Sequence, residues 1–196
     1  MTESSRPWIE TVPWSEATGT LKEAYDWQAA SLGEPTEFTR LGSLNPDLTL
    51  LRLQLYKVVE ATPSDLTPLE RRVAAYIASR LNQTPHCASG LEFRLDDLAH
   101  TAPPGAIEGV RRDPAHVAST DPRLDAIAAY AAKLTLTPGE IVEGDIQALR
   151  ASGLSDLDIL DLNNIVAYYN YINRVANGLG LRTLIGGDHA RHAVPR

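Results

Sequence analysis

Residues 66–98, LTPLERRVAAYIASRLNQTPHCASGLEFRLDDL, predict two consecutive α-helices separated by a short polar break. Thr67 can cap the first helix, because a proline follows at the first helical position and Glu70 completes the pattern of a capping box. Apolar residues then recur at steps of three and four as far as Leu81, so one face of this helix is expected to be buried. Pro85 fits the first turn of the second helix.

The only cysteine of the chain, Cys87, falls near the start of the second helix. Free backbone N–H groups and the helix dipole favour an anion there, and such a position lowers the pKa of a thiol. His86 adjoins Cys87, but neighbours along a helix point about 100° apart, so adjacency does not make them a hydrogen-bonded pair. Two interpretations stay open: Cys87 is a reactive thiol, or it is a small buried apolar residue.

This region resembles the core motif of the alkylhydroperoxidase D-like and carboxymuconolactone decarboxylase-like proteins, especially their peroxidase-related branch. The similarity covers most of the chain, since it continues through PWSEATGTLKEAYD at 13–26, DPRLDAIAAYAAKLTLTPGEI at 121–141 and IVAYYNYINRVANGLG at 165–180. The resemblance implies an all-α helical bundle that assembles into homo-oligomers, either trimers or hexamers.

Members of this family typically carry a relay glutamate in the first helix and Cys-x-x-Cys-x-x-x-His at the start of the second. The resemblance places Arg72 at the glutamate position, Thr84 at the first cysteine, Cys87 at the second and Leu91 at the histidine. A peroxidatic thiolate becomes a sulfenic acid that normally condenses with a second thiol, and this chain has none. The resemblance therefore predicts the fold, while the missing reagents argue against the usual peroxidase chemistry.

The last predicted helix, residues 156–178, sets five asparagines among aromatic residues. Burying an amide without a partner costs roughly 1–3 kcal/mol, so these side chains are expected to be hydrogen-bonded. They either tie helix ends and a subunit interface together, or Tyr169, Asn173 and Arg174 line a cavity beside Cys87.

Candidate site residues follow from these positions. The expected catalytic residues are His86, Cys87 and Tyr169, with His86 or Tyr169 moving a proton. The expected substrate contacts are Arg72, Tyr76, Thr84, Leu91, Asn173 and Arg174. Arg72 would hold a substrate carboxylate, or it would form a structural ion pair. Thr84 and Asn173 would supply hydrogen bonds.

Further helices are predicted from capping residues. Ser15 is expected to cap a helix that Gly33 ends, and Asn45 to cap a helix running to about Ala61. The second of these helices is expected to bury a leucine-rich stripe formed by Leu48, Leu51, Leu55 and Val58. Thr137 would start a helix to about residue 152, as Thr67 does for the central one.

The composition, with 43% hydrophobic and 22% charged residues in 196, is that of an ordinary soluble protein. A net charge of −7 argues against a nucleic-acid partner, because phosphate binding needs an excess of Lys and Arg. One cysteine permits no internal disulfide, and neither a signal peptide nor a run of about 18 apolar residues is present. We therefore expect a cytoplasmic protein with no membrane partner.

One domain, residues 15–186, is expected between a lead-in at 1–14 and a flexible tail at 187–196. The tail holds three possible metal ligands, too few for a site: Asp188, His189 and His192. No Gly-rich phosphate loop or paired cysteines occur, so neither a metal nor a cofactor is expected.

The expected function is a cofactor-independent enzyme that performs acid–base chemistry, of the lyase, isomerase or decarboxylase type, on a small carboxylated or partly apolar metabolite. The decarboxylase branch of the family runs non-redox lactone chemistry without a cysteine pair. Two alternatives remain: a one-cysteine alkylhydroperoxidase or thiol sensor that uses Cys87, and a non-catalytic binding or scaffold protein.

Overall fold

The computed structural model describes residues 7–61 and 63–186, and the regular structure within those ranges is entirely helical. Three short 3-10 helices, Trp14–Glu16, Ala99–Thr101 and Pro138–Glu140, accompany the α-helices. The α-helices are α1 (Gly19–Leu32), α2 (Glu37–Leu41), α3 (Pro46–Glu60), α4 (Pro68–Leu81), α5 (Pro85–Asp97), α6 (Ala106–Arg112), α7 (Pro122–Leu136), α8 (Glu143–Ala151) and α9 (Asp156–Gly178). The predicted all-α class is confirmed.

The centre of the fold is α4, which packs against α5, α7 and α9. Every residue from Leu69 to Ser79 is buried, so the helix is covered on all sides and not on one face as its apolar pattern predicted. Small side chains at Ala74, Ala75 and Ala78 let the neighbouring helices approach closely. The central position of α4 therefore depends on the small size of these side chains as well as on the apolar character of the helix.

The start of α4 has the predicted capping box. The Thr67 hydroxyl accepts a hydrogen bond from the Glu70 N–H at 3.2 Å, and the Glu70 carboxylate accepts one from the Thr67 N–H at 2.7 Å. The other Glu70 oxygen accepts from the Arg123 guanidinium at 2.6 Å. The cap thus fixes the start of α4 and also joins this helix to α7.

The start of α1 differs from the prediction. The helix begins at Gly19 and not after Ser15, because the lead-in folds back along α1: the Trp14 indole donates to Asp26 at 2.8 Å, and the Tyr25 hydroxyl donates to the Val12 carbonyl at 2.9 Å. The predicted end is confirmed, since Gly33 has a left-handed backbone with φ of 82°.

The start of α8 was also predicted too early. Thr137 precedes only the 3-10 turn Pro138–Glu140, and the helix itself begins at Glu143. Asp145 supplies the cap, since its carboxylate accepts a hydrogen bond from the Val142 N–H at 2.8 Å and also pairs with Lys133 of α7. A tertiary ion pair therefore selects this start over the earlier one.

The boundaries of α3 agree with the prediction, but its buried face does not. Asn45 accepts a hydrogen bond from the Leu48 N–H at 3.2 Å and so caps the helix as expected. The predicted core stripe is instead between 49% and 65% exposed: Leu48, Leu51, Leu55 and Val58. The residues turned inward are Arg52, Leu53 and Val59, because α1 and α9 pack against the other side of the helix.

The lead-in contacts the end of α9, where the Trp8 N–H donates to the Leu179 carbonyl at 2.9 Å. Within residues 7–61 and 63–186, no helix has both the length and the apolar character needed to cross a bilayer. The predicted tail at 187–196, with Asp188, His189 and His192, lies outside the described residues.

Candidate active site

A cavity of about 140 Å³ lies between α3, α5 and α9 and is bordered by α1, α2 and Ile185. Four of the predicted site residues line it: His86, Cys87, Leu91 and Tyr169. The remaining wall is contributed mostly by apolar and aromatic side chains such as Phe38, Leu53, Tyr168 and Ile172, together with Arg52, Tyr56 and Arg94. Helix α5, the second helix of the central motif, therefore faces the cavity with the residues around Cys87.

Cys87 is almost fully buried on the first turn of α5, with 9% of its surface exposed. Burial raises the pKa of its thiol to about 12, and the nearby positive charge of Arg52 offsets only part of this shift. Burial thus outweighs the helix start that was expected to lower the pKa. The thiol is protonated at neutral pH, which makes it a poor nucleophile.

His86 is 4% exposed, and its side chain bonds the backbone and not the thiol beside it. Nδ1 lies 2.8 Å from the Thr183 carbonyl oxygen, which can only accept, so Nδ1 carries the proton. Burial lowers the pKa of His86 below its usual value. The ring is therefore neutral at pH 7 and has its lone pair on Nε2.

Arg72 forms an ion pair with Glu60, and both side chains are about 90% buried. The other Glu60 oxygen accepts a hydrogen bond from the Tyr169 hydroxyl at 3.2 Å. Burial and the negative charge of Glu60 raise the pKa of Tyr169 well above its usual value, so its phenol keeps the proton. Of the two roles considered for Arg72, the structure displays the structural ion pair, behind the Tyr169 wall of the cavity.

A second cation, Arg94, reaches the cavity from α5. Its guanidinium donates to the Tyr56 hydroxyl at 3.0 Å, and the Tyr56 ring stacks on Tyr168 with centroids 5.9 Å apart. Glu60, the carboxylate whose charge acts on Arg94, is already paired with Arg72. Arg94 therefore brings a positive charge to the cavity wall, because its hydrogen-bond partner there, Tyr56, is uncharged.

Arg52 is the most unusual residue of the site. It is 6% exposed, its guanidinium lies 4.2 Å from the centre of the Phe38 ring, and Nη1 donates to the Phe38 carbonyl at 3.2 Å. Nη2 is buried without any hydrogen-bond partner, and no carboxylate of the described residues pairs with this side chain. Burial lowers the pKa of Arg52, but an arginine remains charged. The cavity thus contains an uncompensated cation.

Solved structures share this arrangement of helices. One is an uncharacterised peroxidase-related protein from Ralstonia eutropha JMP134 with an alkylhydroperoxidase AhpD core, which matches with a TM-score of 0.80 and 20% identity over 97% of this chain and 98% of that chain. The chain has the AhpD fold. A peroxidase-related protein from Silicibacter sp. TM1040 matches with a TM-score of 0.73 and 24% identity, over 92% of this chain and 93% of that one.

The AhpD fold also occurs in the debrominase Bmp8, solved in complex with 2,3,4-tribromopyrrole. It matches with a TM-score of 0.72 and 17% identity over 93% of this chain and 94% of that chain. The sequence matches no family profile and no curated protein. The predicted resemblance is therefore confirmed at the level of the fold, and proteins with this fold differ in chemistry.

Several predicted site residues lie elsewhere in this AhpD fold. Asn173 is fully buried, and its carbonyl oxygen accepts a hydrogen bond from the Ser79 hydroxyl at 3.3 Å. Thr84 accepts a hydrogen bond from the Asn177 amide at 2.9 Å. Arg174 is exposed and donates to Asn170. The contacts of Asn173 and Thr84 join α9 to α4 and to the break before α5, as the structural alternative for the asparagines predicts, although the Asn173 amide nitrogen is buried without a hydrogen-bond partner.

Tyr76 is also separate from the cavity. It is fully buried in α4, and burial raises the pKa of its phenol. Among the described residues there is no cluster of three or more side chains able to hold a metal ion.

Five residues of the site were not predicted from the sequence: Arg52, Tyr56, Glu60, Arg94 and Tyr168. Arg52 was missed because the leucine-rich stripe of α3 was expected to face the core, which would place the opposite face in solvent. Glu60 was the residue from which the partner of Arg72 could have been predicted, since it is the last residue of the helix that precedes α4. Only the packing of α3 on α9 reveals that the two residues meet.

Proposed function

We propose that this protein is an enzyme that binds a small, partly apolar carboxylate in the cavity and acts on it by acid–base chemistry without a cofactor. The observation that carries the proposal is Arg52, whose buried guanidinium has one nitrogen without a partner and no paired carboxylate. A buried charge without compensation is strongly unfavourable, and a substrate carboxylate supplies the missing charge and acceptor.

The size of the cavity limits the substrate. A volume of about 140 Å³ is close to the ~150 Å³ of an apolar protein cavity that accepts benzene. The aromatic and aliphatic wall suits one ring or a short branched chain, with its carboxylate turned toward Arg52. The debrominase of the same fold, solved with a brominated pyrrole, supports a planar ring as the bound group.

The residues around the ligand favour proton transfer over thiol chemistry. His86 is neutral and offers Nε2 as a general base, because Nδ1 is held by Thr183. The Tyr169 hydroxyl donates its hydrogen bond to Glu60 and so presents its oxygen as an acceptor for a substrate hydroxyl or amine. The raised pKa of Cys87 speaks against the one-cysteine peroxidase, since the thiolate is the reactive form.

Binding is tested with a charged ligand and its neutral counterpart. Benzoate is expected to raise the thermal midpoint in a concentration-dependent way, whereas benzamide of the same shape should not. Benzoate at one hundred times its dissociation constant adds about 2.7 kcal/mol to the free energy of unfolding. Arg52→Met should abolish the shift, while Arg40→Met, which removes a surface arginine paired with Glu34, should preserve it. Equal shifts with benzoate and benzamide would contradict the proposal.

Catalysis is tested by proton exchange. A panel of small ring and branched-chain acids is incubated with the protein in D₂O, and NMR follows deuterium incorporation next to the carboxylate and loss of CO₂. His86→Gln should retain binding and lose exchange. If the acids bind but show neither deuterium incorporation nor loss of CO₂, the protein is a non-catalytic binding protein.

A further inference from the structure

A chain of hydrogen bonds runs from the His86 ring to a carboxylate outside the cavity. His86 Nδ1 lies 2.8 Å from the Thr183 carbonyl oxygen and 3.3 Å from the Thr183 hydroxyl oxygen. The hydroxyl donates its own hydrogen bond to the Glu37 carboxylate. Since a hydroxyl has one hydrogen, the Thr183 oxygen can only accept from His86. Both oxygens of Thr183 therefore face Nδ1 as acceptors, and the Glu37 carboxylate lies behind the hydroxyl.

Thr183 belongs to residues 181–185, which we call the post-α9 segment. Its first residue, Leu181, is fully buried in one apolar cluster with Leu41 of α2. The Leu181 N–H also donates to the Ala176 carbonyl of α9 at 2.9 Å. These contacts fix the start of the segment against α2, the helix that carries Glu37.

The other end of the post-α9 segment is fixed to α5. The Ile185 N–H donates to the Ser89 hydroxyl at 2.9 Å, and that hydroxyl donates to the His86 carbonyl at 3.0 Å. Gly90 permits this close approach, because a Cβ there would lie 2.8 Å from Ile185 Cδ1. The segment thus has one contact at each end, and Thr183 is held between them beside the His86 ring.

Glu37 also has a defined place, as the first residue of α2. The preceding Thr36 caps this helix, since its hydroxyl accepts a hydrogen bond from the Thr39 N–H at 3.3 Å. The Thr36 N–H donates to the Gln28 side chain of α1 at 2.7 Å. Glu37 itself is exposed, so it has access to water while its carboxylate accepts from Thr183.

We propose that Glu37 is a positioning residue for the general base: through the Thr183 hydroxyl, its carboxylate fixes the Nδ1–H tautomer of His86 and stabilises the imidazolium that forms when Nε2 takes a proton. The inference rests on the proposed function, in which His86 is the base. In that step a substrate C–H bond breaks, its electron pair stays on the substrate, and the proton bonds to Nε2. A proton from water then replaces the one removed. A nearby negative charge favours the charged form of the ring.

The charges around the cavity make such a carboxylate necessary. None of the described residues that line the cavity is an aspartate or a glutamate, whereas Arg52 and Arg94 are both cationic. Like charges disfavour a protonated histidine. Burial lowers the pKa of His86, and the Thr183 carbonyl and the negative charge of Glu37 raise it in part.

Other titratable or charged groups face the cavity from each element packed around His86. They are Arg52 and Tyr56 on α3, Cys87 and Arg94 on α5, and Tyr168 and Tyr169 on α9. Arg182 of the post-α9 segment donates to Asn177. All of these groups are neutral or positive at neutral pH, so Glu37 is the source of negative charge for the imidazolium.

The first test measures the pKa and tautomer of His86 by NMR in the ligand-free, full-length protein with labelled histidine. Glu37→Gln keeps an acceptor oxygen and removes the charge, so it should lower the His86 pKa by roughly half a unit to one unit, less than a direct contact because Glu37 is exposed. Glu108→Gln, on α6 away from the cavity, is the matched control and should leave the pKa unchanged. An unchanged pKa in Glu37→Gln would overturn the proposal.

The route through Thr183 is tested in the same way. Thr183→Val keeps the backbone carbonyl and removes the hydroxyl, so it should lower the His86 pKa as Glu37→Gln does. Thr183→Ser retains the hydroxyl and should behave as wild type. If Glu37→Gln lowers the pKa and Thr183→Val does not, the hydroxyl is not the link. Circular dichroism establishes that each variant is folded.

The second test follows deuterium exchange of a bound acid against pH. Glu37→Gln should reduce the plateau rate by roughly three- to tenfold, in line with a loss of up to one pKa unit, and move the acidic limb of the profile to lower pH. The affinity for benzoate should not change, because Glu37 does not line the cavity. A lower plateau with an unmoved limb would show a merely structural effect and reject the role of Glu37.

The two readouts separate failure of this inference from failure of the proposed function. If wild type exchanges no acid, the proposed function is wrong, and the NMR titration still decides whether Glu37 sets the protonation of His86. If wild type exchanges an acid and Glu37→Gln has the same rate and pH profile, the proposed function stands and the role of Glu37 is rejected.

Discussion

Glu60 and Arg72 form an ion pair whose two side chains are both about 90% buried, and Tyr169 donates a hydrogen bond to the same carboxylate. The pair joins the end of α3 to α4, the central helix. It therefore holds the inner face of α3 against the core, and with it the position of Arg52 and Tyr56 on the cavity wall. A charge removed from this cluster leaves the other buried without compensation.

We expect Arg72→Met to lower the free energy of unfolding by about 3–5 kcal/mol, the usual effect of breaking a buried ion pair. Chemical denaturation measures the change. Arg150→Met, which breaks the exposed pair with Asp156, is the control and should cost no more than about 1 kcal/mol. A small effect of Arg72→Met would mean that the Glu60 carboxylate is already compensated by other groups.

Arg52→Met should behave in the opposite way. The substitution removes a buried charge that has no carboxylate partner and replaces it with an apolar side chain of similar length, so stability should be unchanged or higher. The same variant should lose affinity for small acids. Loss of binding without loss of stability identifies a residue kept for a ligand. If Arg52→Met unfolds the protein, the guanidinium has a structural role.

The pKa of Cys87 predicts a specific pH dependence. The thiol keeps its proton in the folded protein up to about pH 12, whereas an ordinary thiol loses it near 9.0. Above that lower value the unfolded chain binds fewer protons than the folded one, so Cys87 makes stability fall as pH rises from about 9 toward 12.

Denaturation series at several alkaline pH values measure this fall, and Cys87→Ser should reduce its slope. Absorbance of the thiolate in the ultraviolet gives a direct reading. Appearance of thiolate in the folded protein near pH 7 would contradict the assignment and revive the one-cysteine peroxidase.

Gly180 should be intolerant of substitution. Its backbone has φ of +75°, and a Cβ there would lie 2.3 Å from the Trp8 indole. We expect Gly180→Ala to destabilise the protein by about 1–3 kcal/mol and to shift the tryptophan fluorescence as Trp8 is displaced. Gly178→Ala is the control, because its Cβ would meet nothing within 4 Å and its backbone is helical. Equal effects of the two substitutions would show that Trp8 does not pack on Gly180.

The boundaries of most helices were predictable from the sequence because capping acts over three or four residues. Thr67 with Glu70 and Asn45 with Leu48 bring both partners of each start within one turn, and Gly33 ends α1 by its own backbone freedom. The starts of α1 and α8 were wrong because longer-range contacts, from Trp14 to Asp26 and from Lys133 to Asp145, take precedence.

The sequence by itself determined the helical class, the central place of residues 66–98 and the position of Cys87 at a helix start. Tertiary structure alone decided which face of α3 is buried, because the leucine-rich stripe predicted the opposite face and only the packing of α1 and α9 shows which side meets the core. That choice placed Arg52 in the cavity and paired Glu60 with Arg72. Arg52, Glu60 and Arg72 are all charged, so their partners depend on which helices surround them and not on their neighbours in sequence.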